Sequence, residues 1–276
     1  MGALDGKIAV ITGSTSGIGA RTAELFVEEG CPGRHRRAQA GRRREPGLAN
    51  QLGPAAVFQR TDVTDEADIA ALIEQALGKF GRIDCLFNNA GNPGRIAGIA
   101  EIDMEHFDRV VATHLRGVVL GMKFVAPVMI RQGSGSIINT GSIAGLRTGH
   151  SAHSYSAAKA AVIHVTRCVA AELGESGIRV NSISPGIIAT GIFGKAAGMP
   201  DADAERLKAR LSTVQPISRA GLPDDVARAA LYLAGDASSF VNGQDIVVDG
   251  GIVIGNRWSA LLNTRAGMAE ALKAGE

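Results

Sequence analysis

Lys7-Ile-Ala-Val-Ile-Thr12 is a short, β-branched run that leads directly into Gly13-Ser-Thr-Ser-Gly17-Ile-Gly19. A helical stretch, Ala20–Glu29, follows at once, with Ala23, Leu25, Phe26 and Val27 among charges. Strand, glycine turn and helix in immediate succession leave few folds open. A strand without polar alternation reads as one buried in a parallel sheet. Glycines let the backbone bend tightly and approach a ligand closely. The helix start then offers free N–H groups and a positive dipole end to a pyrophosphate. The spacing is Gly-x-x-x-Gly-x-Gly rather than the common Gly-x-Gly-x-x-Gly, so a purely structural turn is the competing reading.

The pattern recurs along the chain. Ala55–Gln59 is a candidate strand ending near Asp62-Val63, and Arg82–Phe87 is one ending in Asn88-Asn-Ala-Gly91. Gly135–Thr140 ends at Gly141-Ser142, Ile178–Ile183 ends in Pro185-Gly186, and Asp245–Val248 is the last. Between them, Asp65–Phe80, about 104–131, the stretch after Ser142 and Pro223–Ala234 carry helical periodicity or helix-start signals. The fold class expected is α/β: a single-domain, Rossmann-like, doubly wound parallel sheet with helices on both faces. It would span 1–251, with 187–215 as a substrate-loop insertion and 252–276 as a tail. In such sheets ligands bind beyond the carboxyl ends of the strands. The glycine turn, Asp62, Asn88–Gly91, Ser142 and Pro185-Gly186 all fall there.

Tyr155 and Lys159 are four residues apart, within Tyr-Ser-Ala-Ala-Lys. On a helix such residues share one face. A close cation favours a phenolate and lowers the phenol's pKa from its usual value of about 10. A tyrosine so tuned can exchange a proton with a carbinol or carbonyl oxygen. Ser142 could hold that oxygen by a hydrogen bond. The competing reading is a surface helix with an ordinary tyrosine and lysine.

Composition narrows the function classes. A net charge of +2 argues for no particular partner. The 36 glycines form no low-complexity tract and sit mostly singly, at candidate turns and element ends. Three scattered cysteines without Cys-x-x-Cys suggest neither a disulfide framework nor a metal site. The N-terminus lacks the pattern of a signal peptide. No uninterrupted apolar run approaches the ~20 residues of a membrane helix, so a cytoplasmic protein with no membrane partner is expected.

Cys31–Arg44 breaks the pattern. It holds six arginines, a proline and two glycines where the second strand belongs, and reads as a basic loop. Arginines can touch nucleic-acid phosphates, but no reading motif or stacking aromatics accompany them, and no nucleic-acid partner is expected.

Together these motifs resemble the short-chain dehydrogenase/reductase family over about residues 5–250, in its alcohol- and ketone-acting branch. The matches are Thr12–Gly19, Asp62-Val63, Asn88–Gly91, Ser142, Tyr155-x-x-x-Lys159, Pro185-Gly-x-x-x-Thr190 and Val248-Asp-Gly-Gly251. The resemblance implies a nicotinamide-dependent oxidoreductase. Tyr155 would be the general acid/base, Lys159 would lower its pKa and bond the nicotinamide ribose, and Ser142 would orient the substrate. Gly13, Ser16, Gly17, Ile18 and Gly19 would meet the pyrophosphate and adenosine ribose. Asp62 and Val63 would hold the adenine edge, with Asn89, Ala90 and Gly91 lining its pocket. Ile188 and Thr190 would meet the carboxamide. A homotetramer acting on a small-molecule alcohol or ketone is expected; the alternative is a catalytically impaired, nucleotide-binding scaffold member.

Two departures stand out. The family usually has asparagine, holding a water in a proton relay, where this chain has His114 within Thr113-His-Leu-Arg-Gly117. Histidine can donate and accept, so it is a candidate for the same duty; the competing reading is a satisfied polar residue in a helix. The second is the basic segment. Counting ~20 residues past the glycine turn reaches Arg37, and an arginine there suits the 2′-phosphate of NADP. Yet codons for Cys-Pro-Gly-Arg-His-Arg-Arg, shifted by one nucleotide, permit Ala-Arg-Val-Val-Ile-Ala-Glu. That is a buried strand ending in an acid at 37, which suits NAD. The expectation is therefore NAD, with NADP if residues 31–44 are genuine.

Overall fold

The computed structural model describes residues 2–31, 34–35, 52, 56–92, 94–190 and 204–274. Six parallel strands form one sheet in the order β2-β1-β3-β4-β5-β6. They are β1 (Ala9–Ile11), β2 (Arg34–His35), β3 (Cys85–Asn88), β4 (Gly135–Thr140), β5 (Ile178–Pro185) and β6 (Asp245–Val248). The helices are α1 (Gly17–Glu28), α2 (Glu66–Phe80), α3 (Met104–Val111), α4 (Gly117–Gln132), α5 (His153–Leu173), α6 (Ala204–Leu211), α7 (Pro223–Ala234) and α8 (Trp258–Ala274).

The strands sort their side chains by a period of two. Val10, Leu86, Ile137 and Val180 face a core shared with Ile69 and Leu72 of α2, Val125 and Met129 of α4 and Val162 of α5. Ala9, Ile11, Phe87, Ile138 and Ile183 face the other way, onto Phe26 of α1 and Val226, Ala230 and Leu233 of α7. Both faces are thus covered, as the apolar runs require. Arg21 clasps α1 to α7 through Asp224 at 2.8 Å. The Asp65 carboxylate caps α2 by accepting from the Ala67 and Asp68 amides, as its place before the helix suggests.

Several expectations are corrected. The segment read as a basic loop contributes β2, a two-residue edge strand pairing Val10 with Arg34 and Ile11 with His35. A ladder is made by the backbone, so an edge strand tolerates polar side chains that a central one does not. Of Ala55–Gln59, expected to be a strand, the described residues 56–59 have no strand assignment. A two-residue β2 leaves them little edge to pair with. The stretch 187–215 holds a helix, α6, and the tail holds another, α8. Met104–Gln132 is long and apolar enough to cross a membrane by length and composition, and half of that window is buried inside the fold. A five-residue π-helical turn, Ala112–Arg116, joins α3 to α4.

Candidate active site

The site is assembled where β1, β3, β4 and β5 end. Gly13 and Gly17 have φ of +67° and +56°, which only glycine adopts readily. A Cβ on Gly13 would lie 2.7 Å from Ala90 Cα, and one on Gly19 only 2.3 Å from the Gly13 carbonyl oxygen. Thr12 fastens this turn to the next strand's loop, its hydroxyl accepting from the Asn89 and Ala90 amides at 3.0 Å each. The Asn89 side-chain amide donates to the Thr12 and Gly13 carbonyls at 3.1 and 3.2 Å. Asn89 therefore staples the two loops together. Thr190 reaches the same turn, its Cγ2 lying 3.3 Å from where a Gly17 Cβ would be.

Ser142, Tyr155 and Lys159 hang from β4 and α5. Lys159 is buried and donates from Nζ to the Thr140 carbonyl at 2.6 Å. Its Nζ lies 5.5 Å from the Tyr155 ring centre. Ser142 follows β4 directly and its Oγ accepts from the Ala144 amide at 3.2 Å. The turn it opens, Ile143–Gly145, lies against α5. A Cβ on Gly145 would come within 2.7 Å of the Ala160 nitrogen and the Lys159 carbonyl carbon. That close approach brings Ser142 to Tyr155.

Electrostatics correct one expectation. The Tyr155 phenol is pushed up, chiefly by burial, with a hydrogen bond from Ser142 opposing. Burial also lowers Lys159 to about 7. The ammonium is itself desolvated, and burial outweighs any pull of its charge on the phenol.

His114 sits in the π turn, 2% exposed. Its Nε2 lies 2.8 Å from the Asn92 carbonyl oxygen. Its ring meets Tyr155 edge-on, with centroids 4.9 Å apart at 77°. Burial, then the Lys159 charge, lower its pKa to about 3, against the hydrogen bond to Asn92.

Other residues singled out from the sequence are placed as follows. Ser16 precedes α1 without capping it by its side chain, and Ile18 packs at the edge of the apolar core. Asp62 accepts from the Thr64 amide at 2.9 Å and its hydroxyl at 2.8 Å. The Val63 side chain is core, against Gly117, which leaves its backbone for any ligand. Ile188 is buried and bridges to Gly221. Arg37 lies outside the described residues.

Sequence reasoning missed a buried polar chain behind the site. The Asn88 amide donates to Asn139 Oδ1, and the Asn139 amide to Thr166 Oγ1, both at 2.9 Å. Thr166 Oγ1 donates in turn to the Val162 carbonyl at 2.8 Å. This locks β3, β4 and α5 in register. The only signal was a polar residue inside each apolar stretch.

The arrangement fits a dinucleotide. The turn around Gly13 and Gly17 has no side chain in the way, and the first N–H groups of α1 lack a side-chain cap. Ser14 Oγ in that turn and Thr140 Oγ1 beside Lys159 are buried without hydrogen-bond partners. Among the described residues no cluster of three His, Cys, Asp or Glu side chains could hold a metal ion. A cavity of about 530 Å³ lies at the opposite, amino ends of the strands, bordered by Lys7, Asp84, Gly135 and Arg179, away from these groups.

Comparison with known proteins agrees with this fold and these motifs. A family model described as enoyl-(acyl carrier protein) reductase matches residues 13–253. Fold and match together show that the chain belongs to the short-chain dehydrogenase/reductase family. It is 42% identical over 259 residues to momilactone A synthase of Oryza sativa subsp. japonica, covering 92% of each chain. It is 41% identical over 245 residues to cis-4-hydroxycyclohexanecarboxylate dehydrogenase of Sinomonas cyclohexanicum, covering 89% of this chain and 96% of that one. The crystal structure of levodione reductase superposes with a TM-score of 0.78 at 31% identity, covering 90% of this chain and 97% of that one. The chain is thus an oxidoreductase of a family whose members use nicotinamide cofactors and act on small molecules of the alcohol and ketone type.

Proposed function

We propose that this protein is a dehydrogenase or reductase acting on a secondary alcohol or its ketone, with Tyr155 as general acid/base. The observation that carries this is the convergence of Ser142, Tyr155 and Lys159 with the Gly13–Gly19 turn at one edge of the sheet. The substrate class is a ring-borne alcohol or ketone. Cis-4-hydroxycyclohexanecarboxylate dehydrogenase, named for such a substrate, supports that choice.

Bound nicotinamide supplies or takes the hydride, and the protein does the rest. The α1 N-terminus and the Gly13–Gly19 turn would hold the pyrophosphate, Lys159 would hold the nicotinamide ribose, and Ile188 and Thr190 would meet the carboxamide. Ser142 holds the substrate oxygen against the Tyr155 hydroxyl. In oxidation the phenolate takes the carbinol proton; in reduction the phenol gives one to the developing alkoxide. A tyrosine held high by burial keeps its proton, so it enters the reductive direction in the protonated form it needs, and forming the phenolate for oxidation requires that Lys159 be charged beside it.

The cofactor reading is NAD, on the ground that an acid at 37 suits the fold better than the arginine in this sequence. Fluorescence titration with NADH and NADPH tests this. Tighter NADH binding is the expected result. Preference for NADPH would mean that Arg37 or a neighbour holds the phosphate. Binding of neither by the folded protein would sink the enzymatic reading and leave the scaffold alternative. The chain is further read as a cytoplasmic homo-oligomer, four copies being the expectation, which light scattering of the purified protein tests.

A further inference from the structure

Gly91 has a demanding neighbour. A Cβ built on it would lie 2.6 Å from His114 Cε1 and 3.1 Å from Nδ1. Ring atoms at the end of a side chain usually move aside, but this ring is buried and meets Tyr155 edge-on at 4.9 Å. In a close-packed interior the push passes to neighbouring groups, and the tyrosine is one of them.

The hydrogen-bond pattern fixes the imidazole further. Nε2 lies 2.8 Å from the Asn92 carbonyl oxygen, which can only accept, so Nε2 carries the hydrogen. The Asn92 amide, 3.3 Å from the same nitrogen, is the weaker contact. Nδ1 is then bare, and it is buried with no hydrogen-bond partner. The titratable groups facing the ring are Tyr155 and Lys159, both from α5. A second proton on the ring would put a buried charge beside the ammonium.

We infer that Gly91 and His114 form one unit that positions Tyr155: the missing side chain at 91 makes room for the ring, and the Nε2-protonated imidazole ties the Asn89–Asn92 loop to the tyrosine. His114 is a positioning residue in this scheme, and Gly91 is its seat. The inference rests on Tyr155 being the acid/base group, as proposed above.

A double-substitution cycle tests it. Gly91→Ala should lower kcat by about 10–100-fold, the scale expected of a small misplacement of a reacting group. His114→Ala should do so by a similar factor. The pair together should be no worse than His114→Ala alone, because the added methyl then has nothing to displace. KM and the NADH dissociation constant should stay within about threefold. Losses that multiply in the double variant would overturn the unit. So would a fall in NADH affinity shared by Gly91→Ala and the double variant, since Gly91 would then serve the nucleotide alone. A readout independent of turnover is ¹⁵N-histidine NMR. His114 should appear as the neutral Nε2–H tautomer from pH 5 to 8 (about the range in which a free imidazole titrates), and its signals should shift in Gly91→Ala. A titrating or Nδ1–H imidazole in the unmodified protein would also overturn the inference. If the NMR result holds but the unmodified protein turns over no alcohol or ketone, the proposed function fails and the structural unit stands.

Discussion

The two halves of the sheet are held in different ways. β4 and β5 pair over six registered positions, from Gly135 with Ile178 to Thr140 with Ile183. β1 and β2 pair over two. Behind β4 runs the buried chain from Asn88 through Asn139 to Thr166, and in front of it Gly145 lets a turn rest on the backbone of α5. At β2 the described pairing is a two-residue ladder. Ser142, Tyr155 and Lys159 hang from the over-determined half. The lesson is that the groups proposed to move a proton receive redundant support, while the β2 side of the sheet is joined over a short ladder.

The largest test of that contrast is Tyr155→Phe. Loss of a general acid/base should lower kcat by about 10²–10⁴-fold, with NADH binding and thermal stability nearly unchanged. A drop in stability as large as that of a core deletion would show that the phenol is structural.

Asn139→Ala comes next. It strands the Asn88 and Thr166 polar groups in the core and should cost about 1–3 kcal/mol in urea unfolding. Slower turnover should accompany it, because α5 loses one of its ties to β4. Full activity would break the link between the polar chain and the site.

The pH dependence of stability separates the halves further. Lys159 has a folded pKa of about 7 against 10.5, so between those values the unfolded chain binds more protons and stability rises with pH. Below about 7 the folded state carries the desolvated ammonium in full. His114, at about 3 against 6.5, adds a second rise between those two values. Urea unfolding compared with Lys159→Met should show the first slope removed, and with His114→Ala the second. An unchanged slope in either variant would mean that the group stays hydrated.

The smallest effect is expected at the edge. Arg34→Ala and His35→Ala should each change stability by no more than about 0.5 kcal/mol, because β2 is joined through its backbone. A larger cost would show that the side chains themselves hold this edge.

Much of this was legible beforehand, for identifiable reasons. β4, α7 and β6 lie where their apolar runs and start signals placed them, because burial on a sheet face writes itself into local sequence. The Tyr155–Lys159 pair could be read because four residues make one helical turn. Residues 56–59 and Arg34–His35 were misread, because strand formation there depends on what edge is free and not on the residues themselves. The helix of the tail was missed because Trp258–Met268 is exposed throughout, so no buried face imprinted a pattern.

The sequence by itself determined the alternation of strands and helices, the glycine turn and the helical pairing of Tyr155 with Lys159, since each is set by contacts within a few residues. Tertiary structure alone decided that burial lowers the Lys159 pKa, that Asn139 joins three elements, and that Gly91 makes the room His114 occupies. Those depend on burial and on approaches between segments 20 or more residues apart, and no local pattern records a distance across the fold.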